Sequence, residues 1–232
     1  MEKKARNFNR RYAREYNIFR TIFYYGVIFF MVIPFMKKYY NFTISGRENL
    51  PRHKKANKLI YAANHVSELD PPMVSMAVMR PIAYMAKKEL FEETDKRHLL
   101  VKRLGAFAVD REKPEIATFK TVKDILSTSW SLGVFPQGGT RVYGKLDDLK
   151  RGFVVIAQKA QADIVPVAIG KWDGYPDKKN PEPKKNVSIH ICKPISYKLS
   201  TEEILYQWSK AISEHAEYSE IMPEPVKKAE RV

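Results

Sequence analysis

The sequence predicts an α/β fold, with a mostly parallel sheet flanked by helices and an amino-terminal membrane-associated helix. Short apolar runs alternate with longer segments of helical periodicity through the middle of the chain, the pattern of a parallel sheet. The 232 residues and 44% hydrophobic content suit one core of ordinary size. We therefore divide the chain into a basic arm with a membrane-associated helix (1–40), one globular domain (41–222) and a charged tail (223–232).

The amino-terminal segment has the composition of a membrane-surface anchor. The first 20 residues are rich in basic side chains: Lys3, Lys4, Arg6, Arg10, Arg11, Arg14 and Arg20. The uncharged run that follows, 22–36, is shorter than the roughly 20 apolar residues that a helix needs to span a bilayer, and Lys and Tyr residues close it. We expect an interfacial helix with its basic arm on anionic lipid. A buried core helix and a short spanning helix remain alternatives.

Strands and helices alternate along the globular domain. Apolar or alternating runs predict strands at 42–47, 59–63, 82–86, 105–109, 131–135, 164–169 and 187–192. Helical spacing predicts helices from Pro72 to about Arg80 and at 99–104, 116–129, 152–160 and 201–218. The Pro-rich and Lys-rich stretch 173–185 indicates a surface excursion.

The stretch from Asn64 to Asp70 is the first candidate for chemistry. His65 leaves the end of the 59–63 strand, and Asp70 lies where the next helix begins. Ideal helix geometry would hold two side chains five residues apart at about 140° from each other, so the pair meets only if the turn folds back. In that case the carboxylate fixes one imidazole tautomer and leaves the other nitrogen as a base. The alternative is a polar turn with Asp70 as a helix cap.

Two further strand ends carry groups suited to binding an anion. Arg111 follows the 105–109 strand, and the turn Gly138-Gly139-Thr140-Arg141 follows the 131–135 strand. The carboxyl ends of parallel strands meet at one sheet edge, so these groups can converge with His65. Glycine lets backbone amides approach an anion, and arginine offers a planar fork for phosphate. Each feature alone also fits an ordinary turn, and their joint placement favours a site.

Composition and missing motifs narrow the chemistry. The net charge of +15 fits a solvated basic surface, but so large an excess favours an anionic partner: nucleic acid, anionic lipid or a phosphorylated substrate. The sequence has no nucleotide-binding glycine loop, no zinc-type spacing of His and Cys, and no Gly-x-Ser-x-Gly elbow. His65 is therefore best interpreted as a base that acts on a substrate hydroxyl. The one cysteine, Cys192, allows no intrachain disulfide and is interpreted as buried and inert.

Four segments together resemble the motifs of the glycerolipid acyltransferase family, which includes the 1-acyl-glycerol-3-phosphate acyltransferases. In chain order they are Asn64-His65-x-Ser67-x-x-Asp70, the run 105–111 ending in Asp110-Arg111, the run 135–141 (Phe-Pro-Gln-Gly-Gly-Thr-Arg), and the apolar strand 164–168 with Pro166. One departure stands out. The third motif is usually Phe-Pro-Glu-Gly-Thr-Arg, whereas this chain has Gln137 and an additional glycine. The substitution keeps an acceptor and adds donors, but it removes the charge.

The resemblance implies an enzyme that transfers a fatty acyl group from an acyl-CoA or acyl carrier protein thioester to lysophosphatidate, with phosphatidic acid as product. It implies His65 as the base, oriented by Asp70, at the cytoplasmic face of a membrane, with no metal, cofactor or nucleic acid. The expected phosphate-binding residues are Arg111, Gly138, Gly139, Thr140 and Arg141, and those that support the motifs are Asn64, Ser67, Gln137 and Pro166. The alternatives are acylation of glycerol-3-phosphate or another lysophospholipid, and a non-enzymatic basic module that binds membranes or nucleic acid.

Overall fold

The computed structural model describes residues 10–51, 58–91, 97–109, 116–146, 149–218 and 222–225. The strands are β1 (Tyr40–Ser45), β2 (Leu59–Ala63), β3 (Ile82–Lys87), β4 (Phe107–Val109), β5 (Ser131–Val134), β6 (Asp163–Gly170) and β7 (Lys185–Ile191). The helices are α1 (Ile18–Val27), α2 (Ile33–Tyr39), α3 (Asp70–Val78), α4 (Arg97–Arg103), α5 (Ile116–Leu126), α6 (Gly152–Ala160) and α7 (Thr201–Ala216).

The strands form one seven-stranded sheet in the order β1-β7-β6-β2-β5-β3-β4. The five strands from β6 to β4 run parallel to one another. β7 pairs antiparallel with β6, and β1 runs parallel to β7. The predicted fold class, a mostly parallel sheet flanked by helices, is confirmed. The adjacent strands β5, β2 and β6 place their carboxyl ends side by side at one edge of the sheet.

Helices cover both faces of the sheet, which is why its central strands are apolar throughout. On β2, the side chains of Ile60 and Ala62 join the core under α5, α6 and α7, whereas Leu59, Tyr61 and Ala63 join the core under α2 and α3. All five residues are buried. A parallel strand covered on both faces reads as a continuous hydrophobic run, and this explains the apolar stretch in front of His65.

The amino-terminal helix is longer than the uncharged run indicated. A π-helical turn at Ile28–Val32 joins α1 to α2, so one helix of 22 residues extends over Ile18–Tyr39, and an 18-residue stretch of it has mean hydropathy 1.8. By length and composition this helix is long and apolar enough to cross a membrane, as the spanning alternative requires. One side packs on the domain through buried residues such as Tyr24 and Met36, while Phe19 and Phe30 on another side are 78% and 84% exposed.

Three arginines of the basic arm contact the globular domain. Arg10 forms an ion pair of 2.6 Å with Asp124 on α5. The buried Arg11 donates to the carbonyl oxygens of Lys102 and Ala106, and Arg20 also donates to the Lys102 carbonyl. For these three arginines the expected contact with anionic lipid is replaced by contacts that fasten the arm to the domain. Lys3, Lys4 and Arg6 lie outside the described residues.

Candidate active site

The turn between β2 and α3 folds back and brings His65 onto Asp70. The His65 Nδ1 and Asp70 Oδ2 atoms are 2.7 Å apart. The same carboxylate oxygen accepts the backbone N–H groups of Val66 (2.7 Å) and Ser67 (2.9 Å). The Ser67 Oγ accepts the N–H of Leu69 at 3.0 Å and tightens the turn. Asp70 is the first residue of α3, where the positive end of the helix dipole also favours a carboxylate.

Burial gives this pair its chemistry. Asp70 is fully buried, and the loss of solvent raises the pKa of its carboxyl group, opposed by the hydrogen bonds from His65, Ser67 and Val66. When the carboxylate is ionised it has no proton to donate, and a bond to it then requires the His65 tautomer in which Nδ1 carries the proton. The His65 side chain is 14% exposed. In that tautomer Nδ1 is bound to Asp70, and Nε2 is the nitrogen that can accept a proton.

Gln137 braces the backbone of His65 from the neighbouring strand end. Its Oε1 accepts the His65 N–H at 2.8 Å, and its Nε2 donates to the Lys145 carbonyl at 2.9 Å. Gln137 is fully buried, so both bonds are shielded from water. The Arg141 N–H in turn donates to the His65 carbonyl at 2.8 Å. The loop that carries the third motif thus holds both backbone polar groups of His65.

The glycine turn itself has a defined internal geometry. The Gly138 N–H donates to the Phe135 carbonyl at 2.9 Å, and Gly138 has φ +71°, a left-handed conformation that favours glycine. Its amide is therefore engaged in the turn. Gly139 and Arg141 are half-buried and Thr140 is exposed. Gly138 is half-buried as well, so all four predicted members of the anion site on this turn are partly or fully exposed.

Two aromatic rings line the inner side of the imidazole. The His65 and Phe135 rings are stacked, with centroids 4.1 Å apart and planes inclined by 22°. Behind them the Tyr84 ring stacks on Phe135 at 5.9 Å. The Tyr84 hydroxyl donates to the Pro71 carbonyl at 2.9 Å, which ties this stack to the first turn of α3. The stack restricts rotation of the His65 ring.

Asn64 fastens the end of β2 to the adjacent strand β6. Its Oδ1 accepts the Ile169 N–H at 2.8 Å, and its Nδ2 donates to the Ile169 carbonyl and to the Tyr218 hydroxyl, both at 2.9 Å. Asn64 is fully buried. Pro166 lies farther back on β6, opposite Ala62, so its place is in the sheet. Both residues support the strand that delivers His65.

The structure brings together most of the residues that the sequence singled out. His65, Asp70, Gln137 and the glycine turn meet because β2 and β5 are adjacent. Arg111 lies outside the described residues, and its strand, β4, is separated from β2 by β5 and β3. The sequence analysis did not identify four groups that contact the site residues. Phe135 appeared there only as the first residue of the third motif, and no sequence signal marks Tyr84, Tyr218 or the Lys145 carbonyl.

Comparison with known proteins places this arrangement in a family. The family model described as Acyltransferase matches residues 41–170, more than half of the chain. A 1-acyl-sn-glycerol-3-phosphate acyltransferase of Bacillus subtilis is 36% identical over 126 residues, which are 54% of this chain and 60% of that protein. One of Streptococcus pneumoniae is 34% identical over 111 residues, 47% of this chain and 40% of that protein. The chain therefore matches less than two thirds of the length of these relatives.

A solved structure shares the fold. The crystal structure of the 1-acyl-sn-glycerophosphate acyltransferase from Thermotoga maritima superposes with a TM-score of 0.58 at 20% sequence identity, over 87% of this chain and 95% of that one. The similarity thus extends beyond the motifs to nearly the whole architecture, including regions outside residues 41–170.

Proposed function

Because the chain belongs to the acyltransferase family, we propose that it transfers a fatty acyl group from a thioester to the free hydroxyl of 1-acyl-glycerol-3-phosphate, giving phosphatidic acid. The observation that carries this proposal is the 2.7 Å bond between His65 Nδ1 and the buried Asp70 carboxylate at the end of β2. It supplies an oriented base without a protein nucleophile. The matched relatives from Bacillus subtilis and Streptococcus pneumoniae carry the same activity in their names.

The proposed reaction is a direct transfer. The His65 Nε2 takes the proton of the acceptor hydroxyl as the oxygen attacks the thioester carbonyl. A C–O bond forms, the C–S bond breaks, and the thiolate of coenzyme A or acyl carrier protein leaves and recovers the proton from the imidazolium. Asp70 stabilises that imidazolium without taking its proton. Metal ions and cofactors have no part in this proposal.

We assign the acceptor phosphate to the glycine turn. The positive charge of Arg141 and the backbone of Gly139 and Thr140 lie on the loop that braces His65, so a phosphate bound there would hold the glycerol hydroxyl near Nε2. Arg111 is proposed as a second phosphate ligand on the strength of the family resemblance. An alternative acceptor, glycerol-3-phosphate, offers the same phosphate but no acyl chain.

The long helix Ile18–Tyr39 supports work at a membrane surface. Its outer side presents Phe19 and Phe30 while its inner side packs on the domain. We propose that the outer side lies in the lipid of the cytoplasmic face, so that the acyl chains of acceptor and product remain in the bilayer while the phosphate reaches the site. A helix packed along the domain favours lying in the interface over crossing the bilayer.

Acceptor-dependent release of free thiol tests the function. The purified protein is given oleoyl coenzyme A with lysophosphatidate, glycerol-3-phosphate or lysophosphatidylcholine, and acyl carrier protein replaces coenzyme A in a second series. We expect release with lysophosphatidate, and a loss of about 10²–10⁴-fold in kcat for His65→Ala. Asp70→Asn should also lose most activity, whereas Asp177→Asn, the same change at an exposed position, should not.

The outcomes separate the hypotheses. Release that needs no acceptor would identify a thioesterase, and a preference for glycerol-3-phosphate would move the enzyme one acylation earlier. Full activity of His65→Ala would refute the base. An Arg141→Gln variant should raise the KM for lysophosphatidate more than it lowers kcat, because it removes ground-state binding; an unchanged KM would remove Arg141 from the phosphate site.

A further inference from the structure

A cluster of metal-ligating side chains lies away from the acyltransferase motifs. His190 on β7 and Cys192 just after it are two residues apart and therefore on the same face of the strand, and His215 lies in the last turn of α7. The three potential ligand atoms, one from each residue, are all within 4.8 Å of one another. From this geometry we propose that His190, Cys192 and His215 form a binding site for a zinc ion with an open fourth position.

The packing of α7 on the sheet creates the cluster. His190 lies opposite Ala168 on the neighbouring strand β6. At Gly170 a side chain would meet the His215 carbonyl oxygen and the Ser188 Oγ, each at 2.9 Å from the Cβ position. The glycine therefore lets the end of α7 approach β6 and β7 closely. This approach is what brings His215, 23 residues farther along the chain than Cys192, over the face of β7.

The ligand set suits zinc. One thiolate and two imidazoles are borderline-soft donors that Zn²⁺ accepts in tetrahedral sites. Ideal Zn–N and Zn–S bonds of about 2.0–2.3 Å place neighbouring ligand atoms roughly 3.3–3.6 Å apart, so ligand atoms at the 4.8 Å limit need an inward movement of about 1 Å. His215 is exposed and can make this movement by side-chain rotation. Solvent supplies the fourth ligand.

The surroundings of His190 orient it as a ligand. Its Nδ1 is 2.8 Å from the Ser45 Oγ on β1, and a hydrogen bond donated by Nδ1 leaves the Nε2 lone pair for a metal. The His190 and His215 rings are stacked with centroids 3.7 Å apart, so the exposed His215 ring must turn out of the stack before both rings can direct a nitrogen at one ion. Two positively charged rings would repel each other at this distance, and burial together with His215 lowers the pKa of His190. Neutral imidazole is the form that binds metal.

Cys192 gives the site a chemical signature. The residue is buried, with 5% exposure, and burial raises the pKa of its thiol to about 12. Without a metal it is therefore a thiol, which faces the Ala211 carbonyl at 3.8 Å. Metal binding would replace the S–H bond with a metal–sulfur bond and release one proton to solvent. The carboxylates of Glu48 and Glu214 lie near enough to act on His190 and Cys192, and their negative charge favours a bound cation.

The site would anchor the end of α7 to the sheet. His215 is followed closely by Tyr218, whose hydroxyl accepts from Asn64 next to the catalytic His65. Ion binding would thus stabilise the segment that carries Tyr218. This proposal stands independently of the acyltransferase activity, because it concerns only β7, α7 and their contacts.

Cobalt titration of the tag-free, chelator-treated protein tests the proposal. We expect one equivalent of Co²⁺ to produce a thiolate-to-cobalt charge-transfer band, release one proton, and be displaced by Zn²⁺. Cys192→Ser should lose the band, and His215→Gln should weaken binding by at least about tenfold. His53→Gln, the same change at another histidine, should bind as the wild type.

The variants also control for folding. His215 is exposed, so His215→Gln should keep the unfolding temperature of the metal-free protein, and its loss of binding would then report on the ligand alone. One equivalent of Zn²⁺ should raise the unfolding temperature of the wild type but not of His215→Gln. Absence of the charge-transfer band in the wild type, or a band that persists in Cys192→Ser, would overturn the proposal and leave the cluster as a packing arrangement.

Discussion

Replacing Gln137 by glutamate tests why this chain carries an amide in its third motif. The Gln137 side chain is fully buried, accepts from the His65 N–H and donates to the Lys145 carbonyl. A carboxylate can accept the first bond but cannot donate the second. A protonated carboxyl group can do both. Gln137→Glu should therefore fold with a neutral glutamic acid at this position.

The expected loss of stability equals the free energy needed to keep the glutamic acid protonated. An unperturbed glutamate has a pKa of about 4.3, and each pH unit above it costs about 1.36 kcal/mol, so a neutral carboxyl group costs about 4 kcal/mol at about pH 7.3 and about 1 kcal/mol at about pH 5.0. This free energy is an upper bound, because the carboxyl group ionises if burying the charge costs less than keeping the proton. The pKa of the introduced carboxyl group is higher in the folded protein than in the unfolded one. The variant therefore loses stability as the pH rises above the pKa of the unfolded state.

Denaturant unfolding of Gln137→Glu and wild type, followed by tryptophan fluorescence, measures the effect at both pH values. We expect the variant to be destabilised by up to about 4 kcal/mol near neutral pH and by about 3 kcal/mol less at about pH 5.0. Gln137→Met is the control. It loses both bonds at every pH, with a cost of about 2–4 kcal/mol that does not change between the two conditions. A Gln137→Glu protein as stable as wild type near neutral pH would refute the role of the amide donor.

Three further variants test other contacts. Phe135→Leu removes the ring stacked on His65, and a stack worth about 0.5–1.5 kcal/mol predicts a fall of roughly 2–10-fold in kcat; an unaltered kcat would count against the stack. Tyr218→Phe removes the acceptor of the Asn64 amide and should cost about 1 kcal/mol in urea unfolding, so equal stability would contradict that bond. Phe30→Ser should weaken binding to anionic vesicles by roughly tenfold or more, and unchanged sedimentation with vesicles would place lipid contact elsewhere.

Local sequence patterns predicted most of the fold. The apolar run 59–63 and the helix 152–160 have the predicted bounds in the structure, because burial of one face or both faces leaves a periodic trace along the chain. His65 and Asp70 were also identified early, since five residues and one turn suffice to bring them together. The length of the amino-terminal helix was underestimated because Arg20 and Lys37 interrupt the uncharged run, although they are compatible with a helix.

Contacts between distant segments depended on the tertiary structure alone. The bond between Gln137 and His65 joins residues 72 positions apart. The partners of the Gln137 side chain are the backbone N–H of His65 and the backbone carbonyl of Lys145, and no sequence pattern marks backbone groups. The same holds for the Lys102 carbonyl that receives Arg11 and Arg20. The cluster of His190, Cys192 and His215 follows from the close packing of α7 on β6 at Gly170. Periodicity determines which side of a segment is buried, whereas sheet order and helix packing decide which partner covers it.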